Sequence, residues 1–208
     1  MQPVIILFAK APIPGRVKTR LQPPLSPGEA ASLHEGFVHD LILRLQSFTR
    51  ASLELHTDIP TDAWARTGVA QRLQSEGDLP LKMFHALQQA LLRGHERAMI
   101  VGTDAPTLPV EHLEQLLASE SDVALGPTDD GGYYAIACRH THPAMFDHVI
   151  WSGPQTLEHT VHAIERAGLS VALGPRWFDV DEPADLERLA LSADLPPHTA
   201  RWFAARKK

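Results

Sequence analysis

The sequence predicts an α/β protein, a three-layer α/β/α sandwich around a mostly parallel sheet. Short, continuously apolar segments recur along the chain, as expected for strands that are buried on both faces of a sheet. Segments with helical spacing of apolar residues separate them, and this alternation is typical of parallel sheets. The 208 residues contain no internal repeat and no linker, so we expect residues 1–208 to form a single domain.

The N-terminal part contains the clearest elements. Residues 3–9 are continuously apolar and rich in β-branched side chains, which predicts a first strand in the middle of the sheet. Ser26, Pro27 and Glu29 match the capping-box pattern, in which a serine and a glutamate satisfy the free backbone N–H groups of the first turn. A long helix is therefore expected to begin there.

The remaining elements continue the alternation. Pro80, Pro109 and Pro154 are expected at helix starts, because the fixed φ of proline suits the first helical turn. The further predicted strands are residues 51–57, 98–102, 122–126, 133–138, 169–173 and 177–180. A last helix is expected to begin near residue 181, residues 60–78 are expected to be irregular with one short helix, and the basic C-terminal residues are expected to form a tail.

Composition excludes several classes of protein. The formal net charge of −6 argues against a nucleic-acid partner, which would need a broad basic face. A single cysteine excludes a disulfide framework and a cysteine-based zinc site. No apolar run approaches the roughly 18 residues that a membrane-spanning helix needs. Met1 is followed directly by the first strand, without a basic segment, so we expect no signal peptide and a cytoplasmic protein.

A basic loop follows the first predicted strand. It contains Lys10, Arg16, Lys18 and Arg20 and no acidic residue, and Gly15 allows a ligand to approach the backbone closely. Rigid donors and positive charge suit a di- or triphosphate. The loop is not a Walker A motif, because the Gly-Lys-Ser/Thr triplet is absent. The alternative interpretation is an ordinary solvated surface loop.

Carboxylates follow two further predicted strands. Asp104 comes directly after residues 98–102, and the alternation of a strand puts Asp179 and Asp181 on one face. Ligands of open α/β sheets bind beyond the carboxyl ends of the strands, so these residues are expected near the basic loop. Carboxylate oxygens suit Mg²⁺, or Mn²⁺ in its place, with Asp104 and either Asp179 or Asp181 as ligands. In the alternative interpretation Asp104 caps or closes a turn and Asp181 caps the following helix.

Two acidic residues and two glycines precede the strand predicted over residues 133–138. Asp130 is a candidate for binding or deprotonating an acceptor hydroxyl, with Gly131, Gly132 and Tyr133 beside it. The alternative interpretation is a plain hairpin turn between two strands.

Five segments together resemble a known bacterial family. The family's members are labelled glycosyltransferases and are associated with radical-SAM or selenodomain proteins. The resemblance implies the GT-A fold of nucleotide-diphospho-sugar transferases, and it extends distantly to the molybdenum-cofactor and phospholactate guanylyltransferases. The segments that carry it, in the same order as in the family, are residues 8–21, 102–108, 125–134, 151–152 and 179–186.

The resemblance implies roles for individual residues. Lys18 would contact the nucleotide phosphates, Asp104 would hold Mg²⁺, and Asp181 is the first choice for the second metal ligand. The implied nucleotide- and phosphate-binding residues are Ala9, Lys10, Pro12, Gly15, Arg16, Lys18, Arg20 and Asp78. The implied acceptor-binding residues are Gly131, Gly132, Tyr133, Trp151 and Ser152. This chain departs from the family at Pro80, where relatives have glycine, and at Gly153, where they have threonine.

Together these observations predict a Mg²⁺-dependent transferase that uses a nucleotide or nucleotide-sugar donor and a small-molecule acceptor. Lys18, Asp104 and Asp130 are the predicted catalytic residues. The family label favours glycosyl transfer, whereas the many cations of the basic loop favour nucleotidyl transfer, because a leaving pyrophosphate needs more neutralisation. The alternative is a non-catalytic nucleotide-binding protein on the same fold. An open pocket lined by Asp130 and Tyr133 would favour the enzyme, and a closed, packed turn would favour the binding protein.

Overall fold

A computed structural model describes residues 2–206 and confirms the three-layer α/β/α class with a mostly parallel sheet. Seven strands form one sheet in the order β3-β2-β1-β4-β6-β5-β7, and only β6 runs antiparallel to its neighbours. The strands are β1 Val4–Ala9, β2 Ser52–Thr57, β3 Ala70–Leu73, β4 Ala98–Gly102, β5 Val123–Pro127, β6 Tyr133–Cys138 and β7 Val171–Leu173. The α-helices are α1 Pro27–Gln46, α2 Leu79–Leu92, α3 Val110–Ala118, α4 Thr156–Arg166, α5 Pro183–Ala190 and α6 Pro197–Arg206.

The central strands β1, β4, β5 and β6 are buried on both faces because helices cover each side of the sheet. One face of β1 packs with apolar residues of α1 and α3, and the other face packs with residues of α2 and α4. On the first side the contacts include Ile5, Leu7, Val38, Leu41 and Leu113. On the second side they include Val4, Ile6, Met83, Leu87 and Ile164. Burial on both faces explains why the central strands are continuous apolar runs rather than alternating ones.

The start of α1 is the predicted capping box. The Glu29 backbone N–H donates to Ser26 Oγ at 3.3 Å, and the Ser26 backbone N–H donates to Glu29 Oε2 at 2.8 Å. Two donors that the helix leaves unpaired are thereby satisfied, which explains why the helix begins at this point of the sequence.

Three sequence predictions were wrong in detail. Residues 60–78 include the short edge strand β3, whose four residues are exposed and therefore lack the apolar pattern of a buried strand. Residues 177–180 form no strand beyond a single bridge between Trp177 and Thr128. Of the predicted basic tail, the residues up to Arg206 belong to α6, which packs on α1, and Lys207 and Lys208 lie outside the described residues. Asp40 accepts hydrogen bonds from the backbone N–H groups of His198 and Thr199 in the first turn of α6.

One edge of the sheet collects the loops of interest. β1, β4 and β5 end at this edge, and the antiparallel β6 begins there. The Val180 backbone N–H donates to the Asp104 carbonyl at 2.8 Å, which fixes residues 177–181 against the end of β4. Within the described residues, no helix is both long and apolar enough to cross a membrane.

Candidate active site

The basic loop after β1 is anchored rather than freely solvated. Ala11 and Val17 are buried, and the Ala11 backbone N–H donates to the Asp58 carboxylate at 2.7 Å. Lys18 adopts a left-handed backbone conformation with φ of 48°. Such a conformation is uncommon for a residue other than glycine and persists only where the surroundings hold it. The loop therefore presents its cations from a fixed backbone.

Lys18 forms the centre of the site. Its ammonium donates to the Val180 carbonyl at 2.6 Å, contacts Asp181 Oδ1 at 3.1 Å and forms an ion pair with Asp104. Its side chain is only 3% exposed. Burial alone would lower the pKa of the Lys18 ammonium, but the carboxylates of Asp104 and Asp181 outweigh that effect and raise the pKa above its usual value. Lys18 is therefore a fixed positive charge.

The two carboxylates that hold Lys18 differ in their partners. Burial would raise the pKa of Asp104, but the Lys18 ammonium, with smaller contributions from His34 and Lys10, lowers it below its usual value. Asp181 also accepts from Arg20 at 2.5 Å. Asp181 therefore lies between two cations, and its side chain does not cap α5.

Asp179 behaves differently from these two residues. Burial raises its pKa to about 7, and the nearby carboxylates of Asp130, Asp181 and Asp104 add to the effect. Like charges crowded into a half-buried site disfavour the ionised form. A cation that binds nearby would therefore stabilise the charged form of Asp179.

These residues surround an open cavity of about 700 Å³. Most of the predicted site residues line it, and both Asp179 and Asp181 are among them, although residues 177–180 do not form the strand from which their shared face was predicted. The predicted residues that line it are Ala9, Lys10, Arg16, Lys18, Arg20, Asp104, Asp130, Gly132, Tyr133, Trp151, Ser152, Asp179 and Asp181. Lys10 and Arg16 are exposed, and within residues 2–206 neither forms an ion pair with a carboxylate.

Four predicted site residues do not line the cavity: Pro12, Gly15, Asp78 and Gly131. The Asp78 carboxylate accepts from the Leu81 backbone N–H at 3.2 Å and caps α2, so its side chain serves the helix rather than the cavity. Gly131 has φ of +89°, and a Cβ atom there would lie 1.9 Å from the Pro154 carbonyl oxygen. Gly131 is therefore the point where the β5–β6 turn packs against the loop before α4.

Asp130 and Tyr133 occupy a hairpin turn that also forms a wall of the cavity. Asp130 Oδ1 accepts from the Thr128 hydroxyl at 2.6 Å and from the Gly132 backbone N–H at 2.9 Å. The Tyr133 hydroxyl is buried, and burial raises its pKa. Its ring packs edge-on against Trp151, with the ring centroids 6.4 Å apart. Tyr133 thus offers a ring surface. Of the two aspartates of this turn, Asp130 lines the cavity, whereas Asp129 pairs with Arg188.

Several further polar residues line the cavity without having been predicted from the sequence, among them His34 and Gln74. His34 Nε2 lies 2.9 Å from the Lys10 carbonyl, and burial is the main cause that lowers its pKa, so it braces the basic loop from α1. Gln74 follows β3 directly. Recognition of β3 as a strand would have placed Gln74 at the ligand-binding edge. The residues of β3 are exposed, however, and do not form the apolar run by which a buried strand is recognised in a sequence.

Comparison with known proteins identifies the family. The sequence pattern of DUF2064, described as an uncharacterized protein conserved in bacteria, matches residues 40–153, which are more than half of the chain. The chain belongs to the DUF2064 family. A 2-phospho-L-lactate guanylyltransferase from Haloarcula marismortui is 30% identical to this DUF2064 chain over 180 residues, which cover 85% of this chain and 81% of that protein.

Two solved structures show what this chain resembles in three dimensions. A Desulfovibrio desulfuricans G20 protein, described as a candidate nucleotide-diphospho-sugar transferase, has 32% identity and a TM-score of 0.86, over 100% of this chain and 96% of that one. CMP:2-keto-3-deoxy-manno-octonic acid synthetase, solved with CTP, has 13% identity and a TM-score of 0.61 over 100% of both chains. At that identity it supports the fold alone. This DUF2064 protein is therefore a transferase, and its association with radical-SAM or selenodomain proteins stays a prediction.

Proposed function

We propose that this protein is a Mg²⁺-dependent nucleotidyltransferase, which transfers the nucleotidyl group of a nucleoside triphosphate to a small acceptor and releases pyrophosphate. One observation carries the proposal. The buried ammonium of Lys18 lies against Asp104 and Asp181 at a cavity whose rim carries the exposed cations Lys10 and Arg16. The guanylyltransferase relative supports GTP as the donor and a small phosphorylated carboxylic acid as the acceptor.

The carboxylates of the site suit a divalent cation that is shared with a substrate. Asp104 and Asp181 both contact the Lys18 ammonium. Their carboxylate oxygens therefore lie close together around a positive charge. Within residues 2–206, no group of three or more histidine, cysteine, aspartate or glutamate side chains forms a ready-made metal cage. Mg²⁺ needs only one or two carboxylates when phosphate oxygens and water complete its shell.

We propose that Asp104 and Asp181 hold Mg²⁺, or Mn²⁺ in its place, and that Asp179 is the alternative to Asp181. When bound, the ion would polarise the phosphates and neutralise charge on the leaving pyrophosphate. The chain's own cations would act beside it. Lys10 and Arg16 would bind the β- and γ-phosphates, and Lys18 would exchange part of its contact with the carboxylates for the phosphate oxygens.

In the transfer step the acceptor oxygen attacks the α-phosphorus. The bond between the α-phosphorus and the oxygen that it shares with the β-phosphate breaks. The electron pair of that bond leaves with pyrophosphate, whose charge the basic loop would stabilise. Asp130 lines the same cavity, near Asp179, and we propose that it orients the acceptor through the oxygen that the turn leaves free. Tyr133 and Trp151 would contact the acceptor through their rings.

Glycosyl transfer from a nucleotide-sugar is the second candidate. The Desulfovibrio relative, described as a candidate nucleotide-diphospho-sugar transferase, favours it. This reaction breaks the bond between sugar and phosphate and releases a nucleoside diphosphate, so the two candidates differ in their products.

A thermal-shift panel with and without Mg²⁺ would separate these candidates. The panel would contain GTP, ATP, CTP, UTP, UDP-glucose and GDP-mannose. We expect a triphosphate to raise the Tm only with Mg²⁺, by about 5 °C or more near 100 times its Kd, because a ligand that binds only the folded state stabilises it. Pyrophosphate release from GTP and 2-phospho-L-lactate would then test turnover.

The other outcomes of this panel are informative. Stabilisation by nucleotide-sugars alone would replace nucleotidyl transfer by glycosyl transfer. No stabilisation by any of these ligands would overturn both candidates.

A further inference from the structure

Gln74 is a polar residue of the cavity for which the proposed reaction has no role. It follows the last residue of β3, and its backbone N–H donates to the Thr57 carbonyl at 2.9 Å. The backbone of Gln74 is therefore tied to the end of β2, while its side chain reaches the cavity.

Two hydrogen bonds fix the orientation of the Gln74 amide. Its Nε2 atom donates to the Ala9 carbonyl at 3.3 Å and to the His56 carbonyl at 3.2 Å. Carbonyl oxygens only accept, so the NH₂ group must face them and Oε1 must point away from them. Among the described residues, none donates a hydrogen bond to Oε1. Gln74 thus presents a fixed acceptor.

Apolar side chains accompany this acceptor. Phe8, Leu79 and Met83 line the same cavity, and Leu79 is 48% exposed. The Phe8 ring stacks on His56 with the ring centroids 5.9 Å apart, which holds the ring in place. Ala9, which accepts from Gln74, is the last residue before the basic loop. This part of the cavity therefore combines apolar contacts with one oriented acceptor, next to the proposed phosphate site.

We propose that Gln74 Oε1 selects guanine as the base of the donor, by accepting hydrogen bonds from the N1–H and the exocyclic N2 amino group. This inference rests on the proposed function, because it names the base of the triphosphate. A carbonyl oxygen has two lone pairs, and guanine offers two neighbouring donors on one edge. Adenine and cytosine offer one amino group beside an acceptor nitrogen, and the N–H of uracil lies between two carbonyls, so each brings an acceptor towards Oε1.

The test compares GTP with ITP, which lacks only the N2 amino group. Calorimetric titration with Mg²⁺ would give both Kd values for the wild type, for Gln74→Met and for the control Gln71→Met. Gln71 is an exposed glutamine of β3 that does not line the cavity. We expect the wild type and the control to bind GTP about fivefold to tenfold more tightly than ITP, the effect of one hydrogen bond. In Gln74→Met we expect the ratio to fall to about one.

The test compares the Kd values of GTP and ITP on the same protein. A general loosening of the site would weaken the binding of both nucleotides equally and would leave this ratio unchanged. A GTP-to-ITP ratio that is unchanged in Gln74→Met would overturn the assignment of Gln74. Tighter binding of CTP, ATP or UTP than of GTP by the wild type would overturn the choice of guanine. Binding of no triphosphate at all would overturn the proposed function and, with it, this inference.

Discussion

Lys18 shows how a single residue organises the site before any ligand binds. Its ammonium is almost fully buried, and buried charges persist where opposite charges and hydrogen bonds compensate their desolvation. Asp104 and Asp181 supply the charges, and the Val180 carbonyl supplies a further acceptor. The carboxylates proposed as metal ligands are thereby held close together.

The carboxylate of Asp104 is the most direct test of the metal assignment. Asp104→Asn keeps the volume of the side chain but removes its negative charge, so we expect Mg²⁺-dependent binding of GTP to weaken at least about tenfold. Calorimetric titration with and without Mg²⁺ would measure the change. Asp147→Asn is the matched control, because Asp147 is exposed and does not line the cavity. Unchanged Mg²⁺-dependent affinity in folded Asp104→Asn would contradict the assignment.

At the scale of elements, the turn between β5 and β6 is joined to another segment that lines the cavity. The Gly131 carbonyl accepts from the Leu157 backbone N–H at 2.9 Å, and the Gly131 backbone packs directly on Pro154. The first turn of α4 and the loop that carries Trp151 and Ser152 are therefore held against the turn that carries Asp130. Residues of this hairpin turn, among them Asp130 and Tyr133, also line the cavity, so the two interpretations of this motif, a turn and a candidate acceptor site, are compatible.

Replacement of Gly131 tests this coupling. In Gly131→Ala the new Cβ would clash with the Pro154 carbonyl, and a φ of +89° is itself unfavourable for alanine. We expect a loss of about 2–4 kcal/mol in the free energy of unfolding, measured by urea denaturation. Gly28→Ala is the control, since a Cβ there meets no atom within 4 Å and alanine favours a helix. Equal stability of the two variants would show that the close approach to Pro154 is not rigid.

At the scale of the whole molecule, the acidic residue Glu54 ties together the side of the sheet that carries β3. Its carboxylate accepts from His56 of β2, Arg72 of β3 and Arg93 at the end of α2. Burial would raise the pKa of Glu54, but these partners outweigh it and lower the pKa to about 2. The edge strand without an apolar pattern is thus attached through charge as well as through backbone hydrogen bonds.

This network predicts how acid affects the stability of the fold. The Glu54 pKa is about 2 in the folded state and about 4.5 in the unfolded chain, so the unfolded state takes up protons first as the pH falls. The stabilisation is complete above about pH 5 and is lost progressively between about pH 5 and pH 2. Urea unfolding of the wild type and of Glu54→Gln across this range should differ by about 1–3 kcal/mol at neutral pH and converge near pH 2. A constant difference at all pH values would contradict this prediction.

Local patterns were sufficient for the framework of the protein. Apolar runs, the capping box at Ser26 and helix-opening prolines are determined within a few residues, so most strands and helices could be predicted from them. The rule that ligands bind beyond the carboxyl ends of parallel strands then placed the basic loop, Asp104 and Asp130 at one edge. Asp78 was assigned to the donor site, but its carboxylate caps α2.

The sequence by itself determined the fold class, the basic loop and the acidic residues of the site, because each depends on local spacing and charge. Only the tertiary structure decided that Lys18 contacts Asp181, 163 residues away, and that the Gln74 amide donates to the carbonyls of Ala9 and His56 at the cavity. Such contacts join segments distant in sequence and leave no periodicity, since they arise from the order and register of strands in the sheet.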